Sequence, residues 1–209
     1  MLLQESVLLA EVGRRLAKAS GVSNMKGSLV ELRELEASDA ASLFEAIATP
    51  QVSRFLPPAL STFEGVQEFI ATMHRQQVAG QAVSFAILPR GADVPIGLFE
   101  IRSLEPRFAL AEWRFAVAPE YWGSGVFADS ATLVADYAFE TLGAQRLEAR
   151  APVVNKRGNA ALRKIGAIQE ALLRRSFVRN GEQFDQILWT IRADDWMESR
   201  RRATPLVVH

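Results

Sequence analysis

The chain has 209 residues, 49% hydrophobic and 23% charged, the proportions of one ordinary folded domain. Its 24 lysines and arginines balance 24 aspartates and glutamates, which argues against binding nucleic acid by phosphate neutralisation. With no cysteine and only two histidines, His74 and the terminal His209, it excludes disulfides, thiolate metal sites and cysteine nucleophiles, and leaves little for a histidine triad or metal centre.

Along the chain, residues 1–25 read as an appendage, with Leu2, Leu9, Val12 and Leu16 at near-helical spacing. Its charges Arg14, Arg15 and Lys18 follow the apolar run, the wrong order for a secretory signal, and no stretch reaches the ~20 apolar residues of a membrane span. A first strand is expected over 29–36. Ser38-Asp39 then caps a helix through Ala48, and Ser61/Thr62 with Glu64 opens a second that closes near Gly80. Strands follow at 82–88, 96–104 and 109–117. A Gly-rich turn, a helix over 128–142, a strand over 146–152 and a helix over 155–165 come next, then strands at 168–178 and 184–191 around Asn180-Gly181. Hairpins leading into βαβ-like units predict an α/β domain over 26–196, a mixed sheet with helices on both faces. Residues 197–209, with Arg200, Arg201 and Arg202, read as a basic solvated tail.

The stretch that carries chemistry is Ala111-Glu-Trp-Arg-Phe-Ala-Val-Ala-Pro-Glu-Tyr-Trp-Gly-Ser-Gly-Val-Phe-Ala128. A strand enters a Gly-Ser-Gly turn that opens directly onto a helix, so several N–H groups and the positive end of a helix dipole converge on one place. Glycines at 123 and 125 permit positive φ and leave no Cβ against an approaching phosphate. A plain strand-to-helix turn would read the same. The pattern lacks the third glycine of a dinucleotide fingerprint, with Ala128 there, and the Gly-Lys-Ser/Thr of a P-loop.

With its surroundings, the chain resembles the GNAT superfamily of N-acetyltransferases, in the branch that acetylates ribosomal-protein N-termini (the Rim type). Four pieces carry the resemblance across roughly 28–196: Val30-Glu-Leu-Arg-Glu-Leu-Glu-Ala-Ser-Asp39; the turn at Pro119-Glu-Tyr-Trp-Gly-Ser-Gly125; Asn155-Lys-Arg-Gly-Asn-Ala-Ala-Leu-Arg-Lys-Ile-Gly-Ala167; and Leu173-Arg174, Asn180-Gly181, Asp185 and Trp189. The resemblance implies the GNAT acyl-CoA N-acyltransferase fold, a mostly antiparallel twisted sheet of about seven strands. It implies acetyl-CoA as acyl donor, no metal, and a primary amine as acceptor, either a small molecule or a protein N-terminus. The pyrophosphate falls to Trp122, Gly123, Ser124, Gly125, Val126 and Phe127. The pantetheine arm falls to the backbone of Phe115, Ala116 and Val117 and to Asn155, which also reads as an N-cap. An amide of Ala116 or Val117 is expected to polarise the thioester carbonyl. Phe127 is bulky where the family pattern has a small residue.

Among side chains, Glu112 is the expected general base, with Glu100 on the neighbouring strand as reserve. A solvent-facing strand carboxylate is the plain reading of Glu112. The family's Tyr or Ser beside the leaving thiolate corresponds to Leu162 and Gly158, which donate no proton, so Ser124, Asn159 or water substitutes, or the thiolate leaves unassisted. A cytoplasmic acyltransferase acting by direct attack in a ternary complex is therefore expected, without nucleic-acid or membrane partners and compatible with a homodimer. The alternative reading is a non-catalytic acyl-CoA-binding or regulatory module of the same fold.

Overall fold

The computed structural model describes residues 24–203, and the appendage expected over 1–25 lies outside them except for its last two residues. Among the described residues, eight strands form one sheet in the order β1-β2-β3-β4-β5-β6-β8-β7. They are β1 (Met25–Lys26), β2 (Val30–Glu34), β3 (Ala82–Pro89), β4 (Gly97–Ser103), β5 (Leu110–Val117), β6 (Arg146–Pro152), β7 (Ile168–Arg179) and β8 (Glu182–Arg192). The two-residue β1, which pairs Met25 with Leu32 and Lys26 with Glu31, takes the sheet past the expected seven. Every pairing is antiparallel except β5 with β6.

Among the described residues, six α-helices accompany the sheet: α1 (Ala40–Ile47), α2 (Pro50–Ser53), α3 (Phe63–Val78), α4 (Val126–Asp136), α5 (Lys156–Lys164) and α6 (Ala193–Ala203). Thr62 caps α3 by accepting the Gly65 N–H at 3.1 Å. The helix expected over 128–142 starts two residues earlier and passes at Tyr137–Thr141 into a π-helical turn. Residues 197–203, expected in the tail, instead continue α6, because Trp196 is buried in the core and donates its indole N–H to Asp136 at 2.7 Å.

Strand alternation sorts side chains into two cores. Val83, Phe85, Ile87, Phe99, Ile101, Trp113, Leu147 and Trp189 face α4 and α6, while Ala86, Leu88, Leu98 and Ala116 face α1 and α3. The second face is not apolar throughout. Glu100, Glu112 and Glu148 alternate onto it and are buried there. At the far edge, Asn180 (φ 51°) and Gly181 (φ 80°) turn β7 into β8.

Candidate active site

A wedge opens in the middle of the sheet. Parallel pairing between β5 and β6 covers only Leu110–Glu112 against Arg146–Glu148, and beyond Glu112 the strands are no longer paired. Two hydrogen bonds, Leu104 N–H to the Leu110 carbonyl (2.9 Å) and Ala118 N–H to the Ile96 carbonyl (2.8 Å), direct the even-numbered residues of β5 toward β4. Gln145 donates to the Ala109 carbonyl at 2.9 Å, which directs the odd-numbered ones toward β6. The main-chain groups of Trp113, Phe115 and Val117 therefore edge the wedge. The expectation for Ala116 changes accordingly: its N–H and C=O belong to the ladder with β4, and only its side chain, packed among Leu98 and Ala86, contributes to this region. Val117 gives up one group, since the Trp122 indole donates to its carbonyl at 2.9 Å.

The turn that follows reaches α4 through two left-handed glycines, Gly123 (φ 81°) and Gly125 (φ 94°). No atom lies within 4 Å of a Cβ placed on Gly123, so the space before the turn is open. The first N–H groups of a helix have no intrahelical acceptor, and here they follow directly on Gly125. Ser124 is exposed, but its hydroxyl is occupied by donation to the Tyr121 carbonyl at 2.6 Å. Phe127 folds its ring back onto the sheet, 4.5 Å from the Phe115 ring and 6.0 Å from Phe99, so its bulk packs on neighbouring aromatics.

Asp129, in the first turn of α4, accepts three consecutive N–H groups of the β1–β2 turn: Ser28 (3.1 Å), Leu29 (2.7 Å) and Val30 (3.1 Å). This locks the hairpin beside the glycine turn, where the Leu29 Cδ1 lies 3.1 Å from a Cβ built on Gly125. On the other side the exposed Arg157 guanidinium stacks 4.7 Å above the Trp122 ring.

The second face carries the charge. Glu112, 2% exposed at its side chain, receives Arg114 at 2.9 Å, Arg102 at 3.0 Å and Arg150 at 3.2 Å. Its carboxylate is thus occupied by three guanidinium donors, a different environment from the open strand carboxylate its position suggested. Glu100, one strand away opposite Arg114, is buried with a carboxyl pushed above the usual range. Burial is the main cause, the Glu112 charge adds to it, and Arg114 and Arg102 oppose it. Beside Glu100 in the register stands Ser84, fully buried, its hydroxyl without a partner among the described residues. Across this face, Arg179 at the hairpin tip donates to the Leu56 carbonyl (3.0 Å) and the Ser61 hydroxyl (3.3 Å), tying β7–β8 to the loop before α3.

Asn155 caps α5, its side-chain oxygen accepting the Gly158 N–H at 2.9 Å. Asn159 is committed to structure: it donates to the Pro152 and Asn155 carbonyls and accepts the Trp189 indole at 2.7 Å. Leu162 is buried. Among the described residues no group of histidine and carboxylate side chains could hold a metal ion, and no helix is long and apolar enough to cross a membrane.

Sequence reasoning passed over Asp129, Arg157, Arg114 and Arg150. An acidic residue in the first turn of a helix is an ordinary dipole feature, and an arginine on a strand an ordinary exposed charge. Only the tertiary partners distinguish these four.

The family described as "Acetyltransferase (GNAT) domain" matches residues 30–168, well over half the chain. A Bacillus subtilis protein named uncharacterized N-acetyltransferase YoaA is 25% identical over 163 residues, 77% of this chain and 91% of its own. The structure of the ribosomal-protein-S5-alanine acetyltransferase from Vibrio fischeri superposes with a TM-score of 0.72 at 19% identity, covering 83% of this chain and 98% of that one. A spermidine N-acetyltransferase SpeG chimera from Vibrio cholerae and hSSAT gives 0.70 at 20% identity, covering 81% and 99%. At such identities these two structures establish the fold alone. The strand–turn–helix, the opened sheet and the match across most of the domain agree, and the chain belongs to the GNAT family of acetyltransferases.

Proposed function

We propose that the protein transfers the acetyl group of acetyl-CoA to a primary amine by direct attack in a ternary complex. The observation that carries this is the unpaired β5 edge running straight into the Gly123–Gly125 turn. An extended ligand laid along Phe115 and Val117 restores main-chain hydrogen bonds that β6 does not make. The diphosphate at its end meets the N–H groups of the first turn of α4, where Val126 makes only a long 3.4 Å hydrogen bond to the Ser124 hydroxyl, with Trp122 and Phe127 framing the turn, Asn155 flanking the arm and Arg157 at the rim. Of the two amides expected, Ala116 and Val117, the Val117 N–H is the donor in line for the thioester carbonyl.

In the transfer the amine nitrogen forms a bond to the acetyl carbon, the carbon–sulfur bond breaks, and the thiol of CoA leaves. The amine must first lose a proton. Glu100 takes it, directly or through water, because a buried carboxylate with a raised pKa is a better proton acceptor than one saturated by three guanidiniums. Glu112 keeps the competing assignment, and Glu100→Gln beside Glu112→Gln separates them: the base variant loses turnover and retains acetyl-CoA affinity. Ser124, Asn159 and Leu162 supply no free proton donor, so the departing thiolate is protonated from solvent.

Titration with acetyl-CoA tests the core of the reading. Wild type is expected to bind and Gly125→Asp to lose binding; equal affinity of the two refutes the placement. The same missing donor favours a second reading, an acyl-CoA-binding module without turnover. Saturable CoA binding with no CoA release across an amine panel supports that module. The acceptor classes of this proposal are a protein N-terminus and a small amine, in line with the Vibrio fischeri neighbour, named for an alanine of a ribosomal protein, and the SpeG chimera, named for spermidine; a cytoplasmic setting belongs to the same proposal.

A further inference from the structure

Arg114 on β5 and Arg150 on β6 are the first second-face residues beyond the last paired positions, Glu112 and Glu148, so they stand on either side of the throat of the wedge. Ala116 follows Arg114 by two residues on that face, roughly 7 Å along a strand. Both guanidiniums touch Glu112, as does Arg102. The buried carboxylate is 2% exposed, whereas the three arginine side chains are 47%, 37% and 39% exposed. Glu112 thus acts as an internal counter-ion that gathers three partly exposed arginines, of which Arg102 keeps its Nε buried.

The charges around this cluster leave it cationic. Arg146 bridges Glu148 at 3.0 Å and Glu170 at 2.6 Å, and Arg150 also approaches Glu148 at 3.7 Å. Four guanidiniums therefore meet three ion-paired carboxylates, and around Glu112 it is the arginines, not the carboxylate, that reach the surface. A polycationic amine is repelled by such a surface, while an anion is drawn to it. The same field disfavours an ammonium group and so helps a bound amine lose its proton.

We propose that the acceptor is a small amine that also carries a carboxylate, and that Arg114 and Arg150 recognise this carboxylate while Glu112 positions them. The proposal rests on the acetyl-transfer reading above. A carboxylate shared between two partly exposed guanidinium forks anchors one end of the acceptor at the throat and leaves its amino group free to reach the thioester along β5.

The test compares amino acids with their amides and their decarboxylated amines, with spermidine as polycation control, following CoA release and mass gain on the acceptor. Carboxylate-bearing acceptors are expected to exceed their amides at least about tenfold in kcat/KM. Arg114→Gln and, independently, Arg150→Gln should collapse that ratio toward one by raising the acceptor KM, with acetyl-CoA KM unmoved; Arg114→Lys should restore part of it. Equal use of acids and amides, or preference for spermidine, overturns the proposal and leaves acetyl transfer standing. Failure of every amine overturns both.

Discussion

The two sides of the β5–β6 wedge are built from different materials. On the side proposed for the donor, the available groups lie in the main chain: the free edge at Phe115 and Val117, two glycines of positive φ and the first N–H groups of α4. On the side proposed for the acceptor they lie in long charged side chains, Glu100, Glu112, Arg114 and Arg150, on a surface that β4, β5 and β6 assemble together. A main-chain site serves any sequence that folds this way and therefore suits a donor common to a whole family. A side-chain site can change residue by residue, so it is where specificity is written.

The largest effect expected is at the donor turn. Gly125→Asp forces a Cβ into a left-handed position and sets a negative charge against the anion site, and should weaken acetyl-CoA by more than about 100-fold. Ser124→Ala, at the neighbouring residue but with its hydroxyl already bonded to Tyr121, should stay within about threefold. Calorimetry on the pair checks whether main chain or side chain binds; a large loss in Ser124→Ala breaks the comparison.

Next comes Glu100→Gln, expected to lower kcat about 100-fold. In wild type, kcat should fall as pH drops through a carboxyl pKa lying above the ordinary value, and the variant should lose that limb. Stability moves the other way. A carboxyl whose folded pKa is raised costs stability above that pKa, and the cost vanishes below the unfolded value. Glu100→Gln should therefore melt higher than wild type at neutral pH, with the gain shrinking as pH falls toward the ordinary carboxyl range. Thermal melts against pH read this directly, and a flat difference would remove burial as the cause.

Asp129→Ala should cost about 1–3 kcal/mol of stability, because three N–H groups of the β1–β2 turn lose one shared acceptor. It should also raise the acetyl-CoA KM severalfold by freeing the hairpin beside Gly125, and Asp129→Asn should recover part of both. The smallest change is expected for Trp122→Phe, which removes one hydrogen bond of 2.9 Å to Val117, worth about 1 kcal/mol. Chemical denaturation with parallel kinetics distinguishes the two: if Trp122→Phe costs more than Asp129→Ala, the turn rather than the hairpin holds the donor side together.

Much of the architecture was legible along the chain because its signals are local. The Asn180-Gly181 turn, the Thr62 cap, the 146–152 strand and the glycine turn before α4 all depend on residues within a few positions of each other. The last helix, which continues through 203, was not legible because Trp196, which anchors it, finds its partner Asp136 sixty positions away. The candidate base was the weakest inference for the same reason. Glu112 and Glu100 both alternate onto one sheet face, and nothing in a strand pattern says which of two carboxylates three arginines will saturate.

The amino-acid sequence by itself determined the family, the order of strands and helices, and the glycine turn before α4, since periodicity, caps and glycines act over one or two turns of chain. Only the tertiary structure decided which β5 main-chain groups are free, which carboxylate is neutralised and which is raised. Those outcomes depend on hydrogen-bond parity across a ladder and on charges brought together from strands up to 38 residues apart, and Coulomb energy and desolvation respond to distance in space, not along the chain.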